Sequence, residues 1–461
     1  MPDIRKTALF IAILAGFLTP FDLSAVTIAL PSIGQEFAMD AIEMGWIATA
    51  YLLAAGIFLV PFGRIADIYG RKKIFTAGLL IFTLASFLMI FSISTEMIIL
   101  VRVLQGFGSA LIFGTAVAIL STVTPPAERG KALGIYTTAV YLGLSMGPFL
   151  GGILTQYFGW RSIFLINVPV GIFAVAMVFL YLRDEWADCR GESFDLAGSA
   201  QYGLTLLCIM YGFSLLPTPA GFALLVAGGL LLVWFVLRQL RLAHPLLEMA
   251  LFTGNKVFAF SNLAALINYS ATFAVTFFLS LYLQYIKGFT PEYAGFLLVV
   301  QPVVMALCSP AAGRLSDRIA PGKIASLGMG LTALGLVLLI FADTDTSIAF
   351  IVGILIIIGM GLGLFSSPNT NAIMGSVDRK CYGVASGTLG TMRLVGQMLS
   401  MGIAMMLLAI LVGDVAITAP LYPQFLVSMR IGFCIFAVLC IAGIFFSLVR
   451  CSAQRADGVC D

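Results

Sequence analysis

Charge is what this sequence has least of. Asp, Glu, Lys and Arg make up 10% of its 461 residues, against roughly 25% in an ordinary soluble domain. Too few charges are present to solvate several soluble cores. The net charge is only +3 and the basic residues are scattered, which leaves nucleic-acid binding nothing to stand on. A single histidine, His244, removes HExxH and every multi-histidine metal site. The eight cysteines form no CxxC pair and read as free thiols rather than a disulfide framework. Neither GxxxxGKS nor GxxxxGKT occurs, so no phosphate-cradling loop of that kind supplies energy. Long polar stretches are missing too. The longest interhelical loops run about 183–194 and 239–256, too short to fold into a catalytic domain. No metal and no cofactor are expected.

What is present is apolar: 61% hydrophobic residues and a mean hydropathy of +1.06. A bilayer span takes roughly 20 apolar residues. Fourteen spans are expected, at 8–31, 43–62, 74–94, 97–121, 131–155, 162–182, 195–216, 220–238, 257–286, 291–312, 323–342, 347–371, 382–412 and 424–449. The first run carries Asp22 and ends at Pro31 without a small-residue cleavage pattern, so no cleaved leader is expected. With a cytosolic N-terminus, the outer side keeps only Arg161, Lys287 and Arg430, and Arg102 and Arg393 lie within spans. All other basic residues fall inside. The positive-inside rule therefore places both termini in the cytosol.

Residues 63–73 read GRIADIYGRKK and residues 313–323 read GRLSDRIAPGK. Gly63, Arg64, Asp67 and Lys73 match Gly313, Arg314, Asp317 and Lys323. Two like loops on one face imply a parallel repeat about an axis along the membrane normal. The expected architecture is an all-α membrane protein of two six-helix bundles, 1–182 and 257–461, the second with a short cytosolic tail. The linker between them, 183–256, holds two extra helices.

These motifs resemble the major facilitator superfamily, and within it the fourteen-helix drug–proton antiporters (QacA/EmrB-like). GRIADIYGRKK is similar to that superfamily's loop between helices two and three. FDLSAVTIALPSIG at 21–34 resembles a helix-one motif, with Asp22 as its acid. LVRVLQGFGSA at 100–110 resembles a helix-four motif built on Arg102, Gln105 and Gly106. GLSMGPFLGG at 143–152 resembles the helix-five motif of exporters, and WRSIFLINVPVG at 160–171 is family-typical. The resemblance implies export of a small molecule in exchange for protons, by alternating access in a cell (inner) membrane, by a monomer.

The residues themselves allow more than one role. Gly63 lets the chain turn on leaving the membrane. Asp67 can pair with Arg64 or cap a helix N-terminus, so the loop, with Gly70 and Arg71, is either a gate or a topology signal. Gly143, Gly147, Gly151 and Gly152 form a side-chain-free stripe for close helix approach, and Pro148 can bend that helix. In the family this helix packs against the other half.

Intramembrane charge costs about 2.5–3.5 kcal/mol even on lenient scales, and only Asp22, Arg102 and Arg393 incur it. At 1.5 Å per residue, Asp22 lies roughly 13 Å below the outer end of its span and Arg102 roughly 9 Å. They are expected to pair, either as a structural tie or as a pair that opens when Asp22 takes a proton or meets substrate. Arg393, near mid-membrane, has no acid left. Asn268, carbonyls or helix C-termini could satisfy it, or it faces the cavity and selects a negative or dipolar group. Abundant Met and Phe suit adaptable apolar walls. The expected function is proton-coupled efflux of hydrophobic or amphipathic compounds, cationic ones among the candidates. A metabolite or uptake carrier on the same scaffold, or an intramembrane lipid-modifying enzyme, are the alternatives. The absence of DDxxD and of a second histidine argues against the enzyme.

Overall fold

Hydropathy of this strength requires helices, because backbone polar groups in hydrocarbon must be satisfied within each segment. The computed structural model describes residues 4–125, 128–182, 184–242, 245–247, 249–316, 318–377, 382–413 and 415–456. Among them are fourteen helices long and apolar enough to cross a bilayer. The protein is an all-α, multi-pass membrane protein.

In the first half, α1 covers Ile4–Phe37, α2 Ala41–Tyr69, α3 Arg71–Met89, α4 Thr95–Val123, α5 Arg129–Phe158 and α6 Arg161–Tyr181. Next come α7 Leu196–Ser214, α8 Pro219–Gln239 and the short α9 Met249–Gly254. The remainder is α10 Lys256–Leu281, α11 Pro291–Leu298, α12 Val300–Ser316, α13 Pro321–Leu339, α14 Ile348–Gly375, α15 Tyr382–Leu411 and α16 Tyr422–Ala456.

Several helices outrun the spans that hydropathy marks: α1 reaches residues 4 and 37 where 8–31 was expected, and α2 ends at 69 rather than 62. Hydropathy sees only the hydrocarbon-thick part, whereas caps set the true ends. Asp40 and Glu43 form a reciprocal capping box at the start of α2, and Ser94 and Ser347 accept from the backbone N–H three residues on to start α4 and α14. The tenth span is interrupted between α11 and α12 at Val299. Pro302 has no N–H to give the carbonyl of Leu298 and its ring crowds that carbonyl.

By packing, the chain divides into two units. One comprises Met1–Tyr211, Ala223–Leu247 and Thr290–Gly295, the other Gly212–Phe222, Glu248–Phe289 and Phe296–Asp461. Within the first, α1 packs on α4, α5 and α6, α2 and α3 pack on α4, and α3 packs on α6. Within the second, the same scheme recurs with α10 on α14, α15 and α16, α12 and α13 on α14, and α13 on α16.

The glycines repeat as well. A Cβ on Gly106 would lie 2.2 Å from the Tyr51 carbonyl oxygen, and one on Gly359 2.5 Å from that of Gln301. Gly106→Ala therefore forces α2 and α4 apart, because the obstacle is backbone. Overpacking of this kind costs about 1–3 kcal/mol, so the variant should lose thermal stability in detergent by a wide margin. A control at Gly134, where a Cβ meets nothing within 4 Å, should melt with the unaltered protein.

The two central helices are tied by their only charges. Arg238 donates from Nη1 and Nη2 to Asp195 at 2.8 and 2.7 Å, and Gln239 and the Gly198 N–H add donors at 3.1 and 2.9 Å. Burial opposes ionisation of Asp195, but these donors, Arg238 first, hold its carboxyl below the ordinary range.

Candidate functional site

Asp22 and Arg102 meet. Arg102 Nη1 donates to Asp22 Oδ2 at 2.5 Å, and both side chains are 0% exposed. Stripping water from two charges carries a penalty of several kcal/mol per ion, repaid only when further hydrogen bonds complete the geometry. Here three more side chains and one backbone carbonyl do so. Asn167 of α6 donates Nδ2–H to Asp22 Oδ1 at 2.8 Å, and Gln105 of α4 reaches the same oxygen at 3.4 Å. Gln105 Oε1 accepts from Arg102 Nη1 at 2.9 Å while its Nε2 donates to Ser86 Oγ of α3 at 3.0 Å. Arg102 Nε donates to the Ile47 carbonyl of α2 at 3.0 Å. The guanidinium lies over the Tyr51 ring, 4.4 Å from its centroid, a cation–π contact. Five helices of one unit thus converge on a single carboxylate.

Two polar atoms of this cluster are left over: Arg102 Nη2 and Asn167 Oδ1 are buried without a hydrogen-bond partner. The second unit has no such cluster among its described residues. The equivalence of Gly106 with Gly359 puts Leu355 and Ile358, both fully buried, where the first unit has Arg102 and Gln105.

Of the alternatives open to Arg393, Asn268 is not the partner it meets. Arg393 sits over the Tyr269 ring at 5.3 Å, while Asn268 is fully buried with neither amide atom partnered. Helical geometry explains it. Gly396, one turn beyond Arg393, closes on Leu266, Tyr269 and Ser270 of α10, and residue 268 lies about 100° around the helix from 269.

The repeated loop also differs from expectation. Gly63 does not make the turn: it is inside α2, facing Gly114 of α4. The reversal falls at Gly70, with φ +125°, a region that disfavours any side chain. Asp67 pairs with Arg71 at 2.7 Å rather than with Arg64. Arg64 instead reaches Glu192 and the Cys189 sulfur, residues of the linker after α6. Arg71 adds Asp188 at 2.7 Å, and the Lys72 N–H donates to Glu185 Oε1 at 2.8 Å. Two backbone bonds complete the dock, Arg71 N–H to Trp186 O at 2.8 Å and Cys189 N–H to Asp67 O at 3.0 Å. The acidic linker thus straps the basic loop. Arg314 is exposed on α12 and Gly313 lies inside that helix; Asp317 falls outside the described residues.

At Gly143, Gly147 and Gly151 the glycine stripe of α5 faces α1 of its own unit, while Gly152 faces residues 291–292, which belong to the expected 257–461 bundle. Cβ atoms on Gly143, Gly147 and Gly151 would come within 2.4, 2.5 and 2.8 Å of Phe17, Ser24 and Ala25. Ser24 Oγ donates to the Leu144 carbonyl at 2.9 Å. Gly152 and Pro148 meet the segment Thr290–Gly295, which packs with the same unit: Gly152 closes on Pro291 and Gly295 on the Pro148 carbonyl. Pro148 remains within a continuous helix.

Neutral polar residues were the part sequence reasoning missed. Asn167, Tyr51 and Ser86 carry no charge and so did not stand out against apolar helices. An amide within the sixth span, inside INVPVG, was the available signal.

Comparison with known proteins gives a consistent answer. Residues 12–401, and separately 262–456, match the profile of the Major Facilitator Superfamily. The riboflavin transporter RibZ of Clostridioides difficile (strain 630) is 32% identical over 84% of this chain and 85% of its own length. The tetracenomycin C resistance and export protein of Streptomyces glaucescens is 30% identical over 86% of this chain and 75% of its own. The solved structure of a bacterial homolog to the human lysosomal transporter Spinster superposes with a TM-score of 0.72 at 16% identity, covering 98% of each chain.

Proposed function

Because the chain belongs to the Major Facilitator Superfamily and is a transporter, not an enzyme, we propose that it is a proton-coupled antiporter. It exports hydrophobic or amphipathic compounds, cationic ones among them, by alternating access across the cell membrane, with both termini in the cytosol, as a monomer. The observation that carries this reading is the fully buried Asp22–Arg102 pair in spans that otherwise exclude charge. A proton and Arg102 are two ways of neutralising the same carboxylate. Taking up the proton releases Arg102 and loosens α1 from α4; once the proton has left for water, the carboxylate pairs again with Arg102, which restores the tie, or with a cationic substrate in its place. Proton and substrate then exclude one another on Asp22, which antiport requires.

The strapped loop supplies the second element, a latch that holds one conformer. Asp67→Asn removes one half-buried partner of Arg71, which keeps Asp188 and Thr122, so the protein should fold and insert normally. Transport should nevertheless fall strongly, and Asp317→Asn should be milder because its loop has fewer basic neighbours. Full activity in both variants would return the loop to a topology signal.

A carrier of metabolites on the same scaffold is the second reading, favoured by the riboflavin transporter among the relatives. The test is reconstitution into proteoliposomes with an imposed pH gradient and a panel of lipophilic cations, neutral amphiphiles, anions and riboflavin. Uphill movement of amphiphiles that collapses with the pH gradient is expected. Gradient-independent movement, or movement of riboflavin alone, would sink the efflux reading.

A further inference from the structure

Asp22 Oδ1 has one short partner, the Asn167 amide at 2.8 Å. The other amide in the cluster, Gln105, is pinned at both ends, Oε1 by Arg102 and Nε2 by Ser86. Turning it over would set its N–H groups against the guanidinium. Asn167 has no such constraint: its Nδ2 serves Asp22 and its Oδ1 is buried with no partner at all. An ionised carboxylate only accepts hydrogen bonds, whereas a protonated one must also donate its O–H.

We propose that Asn167 is a positioning residue that follows the proton on Asp22, donating Nδ2–H to the carboxylate and, after rotating its amide by half a turn, accepting the carboxyl O–H on Oδ1. When Oδ1 of Asp22 gains a proton, an O–H bond forms and the negative charge is lost. Left facing the Asn167 NH2, that new donor would confront another donor. Rotation about the last side-chain bond exchanges donor for acceptor at the same place with no movement of backbone. One amide thus serves both protonation states. The charged and titratable groups that face α1 here are Arg102 of α4 and Tyr51 of α2, with Tyr136 of α5 against Gly16 further along. Ser86 of α3, Asn167 of α6 and the α5 glycines do not titrate.

This inference rests on Asp22 being the group that exchanges the proton, so the experiment carries a separate arm for that reading. The full chain in proteoliposomes is compared with Asn167→Leu, close in volume but without hydrogen bonds, and with Asp22→Asn. A hydrogen bond to a charged group is stronger than one to a neutral group, so Leu removes more from the carboxylate than from the acid. The pH midpoint of transport in Asn167→Leu should move by about one unit towards alkaline, at about 1.4 kcal/mol per unit. In infrared difference spectra on acidification, the side-chain amide C=O band that Asn167→Leu abolishes should shift in the unaltered protein, as Oδ1 gains a donor, and stay still in Asp22→Asn. A wild-type midpoint in Asn167→Leu, or an amide band indifferent to pH, overturns the role of Asn167 even if Asp22→Asn uncouples transport. Normal coupling in Asp22→Asn overturns instead the reading of Asp22 as the group that exchanges the proton.

Discussion

Asp22→Asn should abolish uphill efflux while leaving the protein folded and able to let substrate run downhill. The asparagine mimics the protonated carboxyl permanently, so the exchange between proton and Arg102 on that position stops. Folding survives because the change removes a fully buried negative charge while keeping side-chain shape; the amide oxygen can still accept from Arg102, and its NH2 can donate to Asn167 Oδ1 once that amide has turned over. Proton and substrate binding that exclude each other must be coupled reciprocally, typically by about 1–3 kcal/mol or 5–150-fold in affinity. Substrate affinity in the unaltered protein should therefore change with pH within that range, and in Asp22→Asn it should be flat. A variant that retains the pH dependence and pumps uphill would make Asp22 structural.

Arg102→Ala is expected to be worse than Asp22→Asn, and for a different reason. It strands a buried carboxylate that now keeps only Asn167 and Gln105, removes the donor to the Ile47 carbonyl and leaves Gln105 Oε1 bare. Breaking a buried pair by deleting one partner costs about 3–5 kcal/mol, a large share of the roughly 5–15 kcal/mol that holds a typical folded chain together. Expression and thermal stability in detergent should fall sharply. The double variant Asp22→Asn with Arg102→Leu should recover much of the expression, because both charges leave together, while remaining unable to pump. Equal stability of Arg102→Ala and the unaltered protein would mean that the pair contributes little to the fold.

How much of this was legible beforehand follows from what each signal measures. Hydropathy located all fourteen spans because an apolar stretch of that length has one stable form in a bilayer, but it could not mark helix ends that caps such as Asp40 and Ser94 decide. The ion pair was legible from depth, since an acid and an arginine at similar depths in spans with no other charge are each other's natural partner. Loop pairing was not. Arg64 and Asp67 are near neighbours in sequence, yet Arg64 finds Glu192 and Asp67 finds Arg71, because the docking of the linker depends on where α6 releases the chain. Asn268 was matched to Arg393 by depth without regard to helix face, and the face excluded it. Asn167 carried the amide that the site needs, and only its neighbours in space, not its neighbours in sequence, say so.

The most direct measurement is proton release when a transported compound is added to the purified protein in weakly buffered detergent solution. Begun at a pH where transport is proton-limited, each addition should release protons in proportion to compound bound, and the release should be absent in Asp22→Asn although the compound still binds. Release of equal size from both proteins, or binding with no release by the unaltered protein, would contradict competition between proton and substrate at Asp22.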